Sequence, residues 1–403
     1  MENCVSNFTT LLSSSSSSFI LSSLLKPHLR FSPTFLKKHV SGFCFSLRNI
    51  PNRVLNIKGS AGPSHCEFSS LNSPLASRTL VGKFLNGVML NHPQLFHVVV
   101  KEELKLLSDD RDDAFARMLV SHGSDENMLH RRIAQVKENE CEIAIEDIMH
   151  CLILHKFSEI KVLLVPKISS CLYNGRLEIL PSKDWELESI HSIEVLDIIR
   201  EHVSTLTGLR SNFSVNESWA TTKIRQFYLA QIYVASILYG YFLKSVSLRY
   251  RLEQSFFSGT HDLSLGHRTI LSPLSFHDVC PYGSKDVMFD DKSDMQSIWQ
   301  QGIKIIRHKE EVEDMKCYIK GFHLDSLQKC AKLRSKEAMH LVESYSHALF
   351  LNLECGLVEN DVILTSFSTL RRLVLEAIAF GSFLWDTEDY IDNVYKLKDH
   401  EAI

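Results

Sequence analysis

One stretch of this chain, Arg334, Glu337, His340, Glu343, Ser344 and His347, has the residue types and spacing for proton chemistry. The positions step by three and four, so on a helix these groups share one side. A carboxylate beside an imidazole can act as a general acid–base pair or ligate a metal ion. The same pattern also describes a hydrated helix face with weak ion pairs. No nucleophile, no cofactor loop and no third group that would orient the histidines accompanies it. The expectation is therefore that Glu337, His340, Glu343 and His347 are largely exposed, share no metal and carry no catalysis, with an enzyme built on this Glu/His face as the alternative.

A second stretch, Asp184-Trp185-Glu186-Leu187-Glu188, sets an aromatic ring among acids. It reads either as a partner-recognition surface formed by Asp184, Trp185, Glu186 and Glu188 or as a Trp that anchors this segment to the fold. His150 and His155 stand five apart on one helical pattern, which does not place both on one face, so no metal is expected there. The acid run Asp109-Asp110-Arg111-Asp112-Asp113 reads as a solvated helix face, since adjacent helical side chains do not converge on an ion. The phosphate-loop, dinucleotide, zinc-protease and nucleophile-elbow patterns are all missing, which counts against the commonest nucleotide and hydrolase classes. No two cysteines form a C-x-x-C pair, so zinc-ribbon and thioredoxin-like sites are not expected.

The elements that must position these residues are mostly helices. Apolar spacing predicts helices over 77–90, 93–121, 125–139, 142–157 and 190–206. Between the fourth and fifth, Ile160 to Pro166 reads as a strand, and Ile168–Tyr173 with Arg176–Leu180 reads as a hairpin. Asn174-Gly175 between them supplies the positive φ angles of a type I′ turn. The helix expected over 222–253 is the most apolar of all. From Phe227 to Leu243 only Gln231 and Ser236 are clearly polar, which suits a central helix covered on all sides or, alternatively, weak membrane attachment. Residues 254–309 have no sustained period and read as a linker. Asp325 with Gln328 suggests a capping box opening a helix that continues to Leu351, and Ser366 or Ser368 should cap a last helix reaching about Tyr395.

Ile237-Leu238-Tyr239-Gly240-Tyr241-Phe242-Leu243 aligns with Ile378-Ala379-Phe380-Gly381-Ser382-Phe383-Leu384. A glycine inside a helix costs about 1 kcal/mol relative to alanine, so a glycine at the same point of both suggests a close helix–helix approach there. The predicted fold class is mainly α: two related helical units, 61–253 and 310–397, the first carrying a small β-hairpin insertion at about 158–189.

The chain carries 44 Lys and Arg against 48 Asp and Glu, a formal charge of −4. Its first sixty residues hold one acid, Glu2, against seven bases, and include the run Ser13 to Ser18. A cationic, Ser-rich, acid-poor leader has the composition of a chloroplast transit peptide, whereas a secretory signal would place its basic residues before the apolar stretch. Removing residues 1–60 leaves a formal charge of about −10, which argues against general nucleic-acid binding.

Several segments carry a resemblance to a known family. They include Ser64-His65-Cys66-Glu67-Phe68, Tyr173-Asn174-Gly175-Arg176-Leu177-Glu178-Ile179, Pro181-Ser182-Lys183-Asp184-Trp185-Glu186-Leu187-Glu188, Ala235-Ser236-Ile237-Leu238-Tyr239-Gly240-Tyr241-Phe242-Leu243 and Arg371-Arg372-Leu373-Val374-Leu375-Glu376-Ala377. Across most of residues 61–397 the chain resembles the plant UV-B-induced chloroplast protein family, whose domain is one of unknown function. The resemblance implies a plastid address, most simply the stroma, and a stress-linked role. It supplies no catalytic residue and no cofactor. The expectation is an interaction or regulatory protein with an unknown plastid protein partner.

Because no acid occurs between Glu2 and Glu67, the leader should direct plastid import and be removed near Gly59 to Ala61. N-terminal sequencing of the protein isolated from leaf chloroplasts checks this. An intact Met1 terminus, or a secreted and glycosylated form, would contradict it.

Overall fold

The computed structural model describes residues 73–123, 126–207, 221–262, 315–350 and 362–397. The leader, most of the expected linker and Leu351 lie outside the described residues. The elements in chain order are α1 (Leu80–Asn91), α2 (Phe96–Val120), α3 (Asn127–Glu159), β1 (Leu172–Tyr173), β2 (Arg176–Leu177), α4 (Asp184–Glu188), α5 (Ile193–Thr207), β3 (Thr221–Arg225), α6 (Gln226–Asp262), α7 (Leu324–Ala331), α8 (Lys336–Phe350), β4 (Val362–Ser366) and α9 (Phe367–Tyr395). The fold is mostly helical with one small mixed sheet, in the order β1-β2-β4-β3.

At the centre α6 and α9 cross at the two glycines. A Cβ on Gly240 would lie 2.0 Å from the carbonyl oxygen of Ile378, and one on Gly381 would lie 1.8 Å from that of Ile237. Neither distance admits any side chain, so backbone packs on backbone. The contacts are reciprocal, since Ile237 and Ile378 hold the same place before their own glycines. Contacts advance together along both helices, from Tyr233 with Glu376 to Tyr241 with Glu388 and Lys244 with Asp386. Each helix is entered directly from a strand, and β3 pairs antiparallel with β4 so that their central residues, Lys223 and Leu364, face each other.

Around this crossing pack α3, α5 and α8. From Ala144 to His155 every residue of α3 is buried, and α9 is buried along most of its length. The stretch of α6 from Gln226 to Phe256 is long and apolar enough to cross a membrane, yet 67% of its apolar 18-residue window is buried inside the fold. The covered-helix expectation therefore holds for its Leu229–Leu243 face.

Several boundaries differ from expectation. Residues 125–139 and 142–157 are one helix, α3, because Asn139 to Glu142 contains no breaker. Ile160 to Pro166 is not a strand. Its Val165 N–H donates to Glu376 at 3.1 Å and its Leu163 carbonyl accepts from Arg372 at 2.9 Å, so its polar groups are satisfied by α9 side chains and not by a ladder. The hairpin is shorter than expected, with Ile168–Cys171 forming a 3₁₀ turn, but Asn174 (φ 51°) and Gly175 (φ 73°) take the type I′ signs. Strand β3 takes up the first residues of the helix expected over 222–253, together with Thr221. The long α6 runs to Asp262, into the expected linker. The capping box at Asp325 does not form: His323 is the N-cap, α7 stops at Ala331, and α8 starts anew behind Ser335, whose Oγ accepts from Ala338 N–H at 3.2 Å. Ser366 does cap α9, accepting from Thr369 N–H at 3.2 Å.

Replacing Gly381 by alanine or leucine should separate α6 from α9 and lower stability by about 1–3 kcal/mol or more. Equilibrium chemical denaturation measures this. An unchanged midpoint would show that the crossing relaxes freely.

Candidate functional site

The start of α8 is the corner where the sequence candidates meet other chemistry. Ser335 fixes it: its N–H (2.9 Å) and hydroxyl both donate to Glu388, a fully buried carboxylate of α9 that also accepts from Tyr241 at 2.6 Å. One turn on, Glu337 is buried, which corrects the expectation of a solvated face. It turns inward because the Ser335 cap rotates the first turn of α8 against α3. Burial raises its pKa above the usual carboxylate range, and nearby Glu142, Glu146 and Glu388 push it the same way. Its Oε2 is enclosed and has no hydrogen-bond partner among the described residues.

His340 is exposed, as expected, but not isolated. Its Nδ1 lies 3.2 Å from Glu146 Oε1. That carboxylate, buried on α3, is also bound by Arg78 and holds the imidazole pKa above its ordinary value. Beside it Asp147 accepts from the N–H and hydroxyl of Thr79, both at 2.7 Å, and so ties the N-cap of α1 to α3. Glu343 and His347 are half-buried further along α8. The structure thus brings Glu337 and His340 together with Glu146 and Arg78, with Glu343 close enough to His340 to raise its pKa as well. Glu146 and Arg78 carry no local signal in the sequence, since they enter from other helices.

The acidic segment behaves differently. Asp184 pairs with Arg371 at 3.1 Å, Glu188 is buried between Arg200 and Arg371 at 2.7 and 2.8 Å, and Glu186 pairs with Lys183 at 2.7 Å. Leu187 and Glu188 anchor α4, whereas Trp185 is 77% exposed, so the expectation that Trp185 anchors the insertion is corrected. A helix of one and a half turns buries one side only, and Leu187 and Glu188 occupy it. His150 and His155 do diverge: His150 meets Ser73 Oγ at 2.9 Å, while His155 stacks on Phe96.

The most exposed apolar surface lies elsewhere. Among the described residues between 105 and 140, only Ala114 and Ser121 are buried, so the α2–α3 hairpin projects beyond the core as an arm. On α3 the exposed Leu129 (59%), Ile133 (39%), Val136 (42%) and Ile143 (38%) recur at heptad spacing along one face. The pattern was readable in the sequence, but it also fits a core-facing stripe.

Comparison with known proteins adds two findings. A model of the family described as "Protein of unknown function (DUF760)" matches residues 128–256, which take in α3 through most of α6. A UV-B-induced chloroplastic protein of Arabidopsis thaliana is 32% identical over 337 residues, covering 80% of this chain and 77% of that protein. No solved structure matches.

With its pKa raised, Glu337 binds a proton in the folded state that the unfolded chain has already released. Its stabilising contribution is therefore present at acid pH and lost as pH rises through the raised value. Glu337→Gln should match the wild type near pH 4 and become progressively more stable than it as pH rises through that raised value. Denaturation midpoints of both proteins across that range check this. A gap independent of pH would mean that Glu337 titrates as an ordinary surface carboxylate.

Proposed function

The chain belongs to the plant DUF760 family, and on that premise we propose that it is a chloroplast protein, resident in the stroma, that serves the response to UV-B or light stress by binding another protein. The address is supported by the acid-poor leader and by the name of the Arabidopsis relative. The stress link rests on that name alone. We read β3–α6 and β4–α9 as two copies of one strand–helix unit, supported by the reciprocal glycine contacts and the central register of β3 with β4.

The exposed heptad stripe of α3 carries the interaction reading. Leu129, Ile133, Val136 and Ile143 give a partner helix an apolar seam, and Arg131 and Arg132 beside it make no ion pair among the described residues. Two copies pairing through this seam would bring those arginines together. A partner helix whose apolar stripe is flanked by Asp or Glu fits instead. Trp185 offers a smaller secondary contact, while Asp184, Glu186 and Glu188 are committed to internal ion pairs. The enzyme alternative draws on Glu337 and His340 beside Glu146, with Glu343 near His340. Weak membrane contact would use α6, most of whose apolar window already lies in the core.

Ile133→Glu with Val136→Glu leaves the core intact and removes the seam. The wild-type mature protein should bind a synthetic amphipathic helix with acidic flanks, and its cross-links to plastid proteins should map to α3. The variant should lose both. Equal binding of a basic-flanked peptide, or the same cross-linked set from the variant, would overturn the reading.

A further inference from the structure

At the root of the arm, where α2 begins and α3 ends, three potential metal ligands converge. His97 lies in the first turn of α2, and His155 and Glu159 stand four apart in the last turn of α3. One ligand atom from each can be chosen so that all three lie within 4.8 Å of one another. We propose that His97, His155 and Glu159 form a binding site for a divalent transition-metal ion, independent of the protein-binding reading.

Three features favour a ligand set over a chance grouping. First, His155 is 8% exposed, and its enclosed Nδ1 has no hydrogen-bond partner among the described residues; Glu159 Oε1 stands 3.7 Å away. A buried imidazole nitrogen without a partner is costly unless something occupies it. Second, the two partners of the buried His155 ring, His97 and Glu159, are exposed, so an ion can reach the site from solvent. Third, the ring is held in place. Phe96 stacks on it at 4.6 Å and 7°, while His97 meets it edge-on at 4.8 Å. Tyr390 of α9 donates to the His97 carbonyl at 3.3 Å and steadies the other side.

Two imidazoles and one carboxylate, with open positions towards solvent at His97 and Glu159, suit zinc with bound water or a ferrous or cobaltous ion. Ligands around a tetrahedral zinc stand about 3.3 Å apart, so closing from 4.8 Å asks only side-chain rotation by the two exposed groups. Lys156, 3.4 Å from Glu159, is the competing cation, and its exposed pairing is weak. An ion here would clasp the first turn of α2 to the last turn of α3 and so fix the direction in which the arm leaves the core.

The test is titration of chelator-stripped full-length protein with Zn²⁺, followed by calorimetry and thermal melting, and with Co²⁺, followed by visible absorption. Wild type should bind one equivalent, melt higher with zinc and give the intense bands of low-coordinate cobalt. His97→Ala and Glu159→Gln alter exposed side chains and should fold normally, yet each should weaken binding by about tenfold or more. Melting without metal confirms their folding, so the result does not hang on a His155 variant, which would also lose the Phe96 stack. No zinc-dependent change in wild type, or equal binding by both variants, would overturn the site.

Discussion

The close crossing of α6 and α9 is the constraint on which the remaining structure depends. With Gly240 and Gly381 facing isoleucine carbonyls, the two helix axes come nearer than side chains would allow. Close approach lets dispersion act between backbones and aligns the polar residues that flank the crossing. Lys244 reaches Asp386 on the half-exposed side, and Tyr233 and Tyr241 reach Glu376 and Glu388 on the buried side.

Those buried carboxylates distribute the order of the crossing to the other elements. Glu376, fully buried, is paired with Arg372 at 2.9 Å and accepts from Val165 N–H, so it secures the segment between α3 and the hairpin. Glu388 holds Ser335 and with it the start of α8. A buried carboxylate is tolerated only when its oxygens are occupied, and each is occupied by a different element. This makes α9 a scaffold on which the chain's less periodic segments are fixed by hydrogen bonds instead of by extensive sheet. Where that supply of donors ends, at Glu337, burial raises the carboxyl's pKa.

The projecting half of the α2–α3 hairpin is outside this network. Its inner face pairs the two helices, one exposed stripe of α3 is apolar, and its root is gripped by the Phe96–His155 stack and by Arg111, which lies over the Tyr395 ring at 4.4 Å and donates to the Tyr395 carbonyl at 3.0 Å. Above that base the apolar stripe of α3 lies exposed. The four aspartates of the acidic run around Arg111 face solvent beside it.

Local pattern alone determined the helical class, the type I′ turn at Asn174-Gly175, the cap at Ser366 and the meeting of Gly240 with Gly381, because each depends on residues near one another in the chain or on a cost that only a close neighbour explains. Periodicity also located the polar face of α8. It did not fix which of those groups would be buried, because the Ser335 cap and Glu388 set the rotation of that helix and come from separate parts of the chain. The strand reading of Ile160 to Pro166 failed for the same reason: a short apolar run says that a segment is buried, whereas its backbone partners are chosen by what packs against it. Only the tertiary structure could bring His97 to His155 and Glu159. The i, i+4 pair on α3 is visible in the sequence, but the third ligand arrives from the start of another helix, placed by packing of α2 on α3 and by Tyr390 of α9.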